Sequence, residues 1–215
     1  MKPEDLYNDI VAFCKSNTNE EIIIKYSRYF KQGQWDAYGL TQHLMYGKVK
    51  DIIETKDVDM QLIRETSRLL IRSIKYEESS FAILLYKSLI KNFDRQIFDD
   101  ITLWFETGIR NWAHCDTICG ELMFPLLKMN IISFNDLKLW INENNKFQRR
   151  AVPVSFIKLL KTTDDYLPFF GIIEPLMIDP EREVHQGVGW FLREAWKKQR
   201  TLTESFLLEW KEISP

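Results

Sequence analysis

Apolar residues recur at three- and four-residue intervals from one end of this chain to the other, and they nowhere alternate for long. That spacing collects side chains on one face of an α-helix. From Pro3 to Lys15 the face would hold Leu6, Ile10, Phe13 and Cys14, behind an N-terminal proline and acids. A second helix is expected after Thr18, with Glu20 and Glu21 in its first turn and Gly33 at its end. The stretch GQWDAY breaks the pattern, and a third helix is expected from about Leu40. Asp59–Ile74 would bury Ile63, Leu69, Leu70 and Ile74, and Glu77–Asn92 follows almost at once. Further helices are expected over Arg95–Thr107 (stopping at Gly108), Trp112–Met129, Phe147–Lys161, Asp164–Ile178, Glu181–Gln199 and Thr203–Ile213. A short one opens at Ser133, with Asp136 in capping-box spacing.

Amphipathic helices joined by a few residues cannot each bury an apolar face alone, so neighbours must stack. Helix pairs recurring every 35 to 45 residues match degenerate HEAT-type repeats. The expected fold is therefore all-α, a HEAT-like α-α superhelix of stacked antiparallel helix pairs, with a globular bundle as the rival. No linker or low-complexity stretch divides the chain, so residues 1–215 read as a single domain.

Composition narrows the partners. No apolar run reaches the roughly 18 residues of a membrane span, and MKPEDLYNDIVAF lacks the basic start of a signal peptide. The three cysteines have no disulfide spacing, which suits a reducing cytoplasm. Cys115 and Cys119 are four apart without a second ligand pair, so a buried thiol role outweighs a metal site beside His114. No metal and no organic cofactor is expected, and no phosphate loop, nucleophile elbow or HExxH is present. The formal net charge is −2. A nucleic-acid partner would have to be held by a local basic patch rather than by overall charge. Lys146, Arg149, Arg150, Arg193 and Lys197 are the candidates for such a patch.

Three segments carry a resemblance: IRNWAHCDTICGELM at 109–123, FQRRAV at 147–152 and VHQGVGWFLREAWK at 184–197, preceded by Arg28, Tyr29, Phe30 and the corner QWDAYGL. In this order and spacing they resemble the AlkD-like DNA alkylation repair family, DNA glycosylases built of HEAT-like repeats. The resemblance implies excision of cationic N3- and N7-alkylated purines from double-stranded DNA by a monomer, with the lesion left stacked instead of flipped. By position it makes Asp116 the active-site carboxylate and Trp112 and Trp190 its aromatic companions. It makes Arg150 the phosphate-facing cation and places Tyr29 nearby.

The residue types suit that chemistry. A purine alkylated at N3 or N7 is cationic, and breaking its glycosidic bond moves positive charge onto the sugar. A fixed carboxylate stabilises that charge, and indole faces attract it. Trp112 and Asp116 are four apart and so share one side of a helix. Each residue also has a plainer reading. Trp112 alone suits a core, Asp116 a helix cap or a partner for Arg110, the paired arginines a solvated face, and Trp190 in GVGW a close helix contact. A noncatalytic HEAT-like module for DNA or protein is the competing function. Where many relatives have a basic residue after the corner glycine, this chain has Leu40, Thr41 and Gln42.

Overall fold

A computed structural model of the chain describes residues 1–30, 35–55 and 58–213, with the side chains of 212 and 213 excepted. Gly33, the expected end of the second helix, lies outside the described residues. Those residues are all-α, without a strand among them. The helices are α1 (Pro3–Ser16), α2 (Glu20–Ser27), α3 (Gln42–Ile53), α4 (Met60–Arg72), α5 (Tyr76–Ser88), α6 (Arg95–Thr107), α7 (Trp112–Ile118), α8 (Phe124–Lys128), α9 (Phe134–Lys138), α10 (Lys146–Phe156), α11 (Leu167–Ile173), α12 (Arg182–Trp196) and α13 (Arg200–Ile213). None is long and apolar enough to cross a membrane.

Short polar residues set the starts. The side chains of Asn19, Thr41, Asp59, Asp94, Asn111 and Asn145 each accept a backbone N–H in the first turn of the following helix. Ser133 donates its backbone N–H to Asp136 at 2.6 Å, the reciprocal bond expected of a capping box. The helix expected over Trp112–Met129 forms with one irregularity. A π-helical turn, Cys119–Met123, separates α7 from α8, which carries Pro125 in its first turn. A proline at that position lacks the N–H that would continue the ladder, and a local change of winding accommodates it.

The chain forms two compact units, Met1–Leu122 and Met123–Pro215. In the first, α4 packs along α5, and both lie against α1. The buried stripe of α4 is Leu62, Ile63, Leu70 and Ile71. Ile74, expected to continue it, is instead 58% exposed with φ of 57°. The chain leaves the helix at Ser73 and turns sharply into α5, which removes Ile74 from the helical face. Buried ions tie the pair to α6: Asp100 accepts Tyr86 Oη at 2.8 Å and faces the guanidinium groups of Arg64 and Arg68. In the second unit α10 and α12 lie side by side, and Gly187 faces Arg150 so closely that a Cβ there would sit 3.0 Å from its Cγ.

One buried carboxylate organises the entry to α3. Glu77, in the first turn of α5, accepts backbone N–H groups from Tyr38 at 2.8 Å, Gly39 at 2.7 Å and Leu40 at 3.1 Å. Gly39 has φ of +80°, and a Cβ there would lie 2.2 Å from the Asn19 carbonyl oxygen. Only glycine fits a left-handed corner pressed this closely on another strand of backbone. Glu77→Gln keeps the size but turns one acceptor oxygen into a donor facing an N–H. It should lower stability by about 1–3 kcal/mol. Gly39→Ala should cost more than that, because strain and overlap act together. Urea denaturation midpoints of the two variants against the parent check both.

Candidate functional site in the first unit and the cations of the second

Trp112 opens α7 and Asp116 follows one helical turn later on the same side. Trp112 is 38% exposed and Asp116 is half-buried. The plainer roles are filled by neighbours. Asn111, not Asp116, caps the helix, its Oδ1 accepting the His114 N–H at 2.9 Å. Arg110 directs its guanidinium to the carbonyl oxygens of Phe105, Glu106 and Ile109, closing the end of α6. Asp116 is nonetheless engaged rather than free.

Trp112 belongs to a ladder of rings that sequence reasoning did not assemble. Phe30 lies between two indoles, stacked on Trp35 at 4.7 Å and 18° and on Trp112 at 5.7 Å and 17°. Trp35 then meets Tyr76 at 4.7 Å, and Tyr76 stacks on His114 at 4.5 Å. The Trp112 Nε1–H donates to the Tyr29 carbonyl oxygen at 3.3 Å, which sets the rotation of the indole. Tyr29 itself is 53% exposed, with the Arg28 guanidinium 4.9 Å from its ring. Tyr29, Trp112 and Asp116 are thus brought together within the first unit. The abundance of aromatic residues was the available signal for the ladder, but pairing Phe30 and Trp35 with α7 needs the fold.

His114 is locked beneath the ladder. The Asn111 Oδ1 is used for capping, so its Nδ2 amide must face His114 Nδ1, 2.9 Å away, and donate to it. The ring proton then sits on Nε2, which donates to the Tyr76 carbonyl at 2.9 Å. This imidazole is a brace between α7 and α5. Cys115 and Cys119 are buried thiols on the same stretch.

In the second unit the candidate cations divide into two groups. Those on α10 are internally committed. Arg149 forks onto Asp179 with Nε at 2.6 Å and Nη2 at 3.1 Å, and its Nη1 donates to the Glu143 carbonyl at 2.7 Å. Burial pushes the Asp179 carboxyl up, but the Arg149 guanidinium and the Glu181 N–H outweigh it and hold the group below its ordinary range. Lys146 bridges Glu181 at 3.1 Å and Glu183 at 3.2 Å. Arg150 is buried, 6% exposed, with Nη1 on the Glu183 carbonyl at 2.8 Å. At the end of α12, Arg193 and the C-capping Lys197 are exposed and share the carboxylate of Glu194, two cations to one acid. Trp190 is half-buried on the same helix.

The family model described as DNA alkylation repair enzyme matches residues 12–213. The chain belongs to that family. It is also similar in fold to a solved structure described as a predicted DNA alkylation repair enzyme from Enterococcus faecalis, with a TM-score of 0.76 over 90% of each chain at 16% identity. No curated protein gives a significant match.

The His114 brace predicts an acid-sensitive fold. Burial lowers the imidazole from 6.5 to about 4, against the opposing pull of the Tyr76 carbonyl. Above pH 6.5 the ring is neutral whether folded or unfolded, and its contribution is fully present. As pH falls from 6.5 toward 4, the unfolded chain gains a proton that the folded chain refuses, so stability drops by on the order of 3 kcal/mol. His114→Gln should be less stable at pH 7 and should lose this part of the slope. Urea midpoints taken between pH 7 and 4 measure both effects.

Proposed function

We propose that the protein is a DNA glycosylase that releases cationic N3- and N7-alkylated purines from duplex DNA. It would act as a cytoplasmic monomer on a stacked lesion, without metal or organic cofactor. The reading rests on one observation: within a chain of the DNA alkylation repair family, Asp116 shares a side of α7 with Trp112, which stacks on a ladder of rings. The family match crosses the boundary between the two compact units without a break, which supports treating the chain as one functional domain.

The reaction replaces the C1′–N bond by a C1′–O bond. The alkylated base leaves with the bonding electron pair and so departs neutral. Positive charge builds on the deoxyribose, water adds at C1′, and a proton passes to solvent. Asp116 supplies a fixed negative charge to that sugar as the charge grows. Trp112 offers the π-face of an indole whose N–H is already used, so its contribution is attraction to the cation rather than a hydrogen bond.

Phosphate contact is assigned first to Arg193 and Lys197, which carry net positive charge at the surface. Contact by Arg150, Arg149 or Lys146 requires exchanging an internal acceptor for a DNA oxygen, which reduces the net gain. Arg193→Ala and Lys197→Ala should each weaken binding to intact and alkylated duplexes about equally and flatten the salt dependence by roughly one phosphate contact.

The test of the reading is Asp116→Asn, which retains size while removing charge. Release of 7-methylguanine from duplex DNA under single turnover should slow by about 10²–10³-fold, with DNA affinity little changed. A folded variant that releases the base at the parent rate would remove Asp116 from its role. A parent that binds duplex DNA tightly yet releases nothing would instead be a noncatalytic module.

A further inference from the structure

The exposed part of Trp112 depends on rings that no catalytic assignment includes. Phe30 is half-buried between Trp35 and Trp112, with both stacking angles below 20°. Its backbone N–H donates to the Ser27 carbonyl at 3.1 Å, and the Tyr29 N–H to the Tyr26 carbonyl at 3.0 Å, so the turn bearing it is fixed. The preceding residue holds the Trp112 N–H through its carbonyl. On the far side Trp35 is anchored by its own Nε1–H to the Ile23 carbonyl at 3.0 Å, and by Tyr76 against its ring. The indole at the start of α7 is therefore restrained at one edge by a hydrogen bond and across one face by a wedged phenyl ring. A seven-residue helix with an exposed first residue would otherwise leave that side chain free to change rotamer.

We propose that Phe30 is a positioning residue for Trp112: wedged against Trp35, it closes one indole face and fixes the rotamer that offers the rest of the ring to the cationic purine nucleotide. Its effect on catalysis rests on the excision reading above. Its effect on Trp112 stands apart from it, and two readouts separate the two. Phe30→Leu removes the flat ring while keeping an apolar side chain, and Phe30→Tyr keeps the ring. With saturating enzyme, F30L should slow release of 7-methylguanine about tenfold, the kind of loss that follows a small misplacement of a reacting partner. Affinity for intact duplex should not change, and F30Y should stay within about twofold of the parent.

In protein labelled with 5-fluorotryptophan, the fluorine resonance of Trp112, identified by its loss in Trp112→Phe, should shift or broaden in F30L and hold its place in F30Y. If the parent releases no base, the excision reading fails. The resonance then still decides: a displaced Trp112 line in F30L upholds the positioning role, and an unmoved one overturns it. An active F30L that matches the parent rate, or a rate loss that F30Y does not rescue, also overturns it. Circular dichroism confirms that each variant compared is folded.

Discussion

A carboxylate buried at the start of α5 holds three consecutive backbone N–H groups of the 38–40 corner, and the candidate site depends on that grip. Glu77 fixes the corner, the Tyr38 carbonyl receives the Asn19 N–H at the start of α2, and the Asp36 carbonyl receives the Tyr76 N–H. The segment from Trp35 to Leu40 is thereby clamped at several points, and Trp35 stays against Phe30 and Tyr76. Trp112 in turn rests on Phe30. A chain of contacts thus runs from one buried charge to the exposed indole. Without the carboxylate, three buried donors would lack partners, each costing about 1–3 kcal/mol, and the wall behind Trp112 would lose its anchor.

Charge is spent differently in the two units. In the first, Arg64 and Arg68 join α4 to α6 through Asp100, and a buried pair such as Arg64–Asp100 adds little net stability while intact but is costly to break. In the second, the α10 cations meet Asp179, Glu181 and Glu183, so basic residues in sequence do not become a basic surface. The net charge of −2 is consistent with that economy. Of the candidate cations, Arg193 and Lys197 remain outward and share Glu194. A binder built this way would hold DNA modestly and with few phosphates, and its discrimination would come from the lesion's charge.

Much of the fold was legible because it is written in local rules. The 3.6-residue period gave the helices, and Asp59, Arg95, Ser133 and Gly108 marked ends close to where they fall. Trp112 and Asp116 shared a face by arithmetic alone. The failures have physical causes. Ile74 belongs to the apolar period yet lies beyond a turn into the left-handed region, which periodicity does not sense. FQRRAV shows two arginines, but only the fold reveals that Asp179 and the Glu183 carbonyl, some thirty residues on, occupy them. Glu77 was legible only as the first residue of an expected helix, and its hydrogen-bond partners lie nearly forty residues earlier. His114, left without a role once a metal site was set aside, is a neutral brace.

The central claim of the proposed function is that this family member would discriminate by charge developing on the sugar, through the Asp116 carboxylate and the Trp112 indole. The direct measurement sets two duplexes of one sequence side by side, carrying either 7-methylguanine or uracil at the same position, and follows base release with saturating protein. The account predicts release of 7-methylguanine well above the spontaneous rate and uracil indistinguishable from the protein-free control. Comparable acceleration of both would contradict it, because a site that expels a neutral base must do chemistry that Asp116 and Trp112 do not supply.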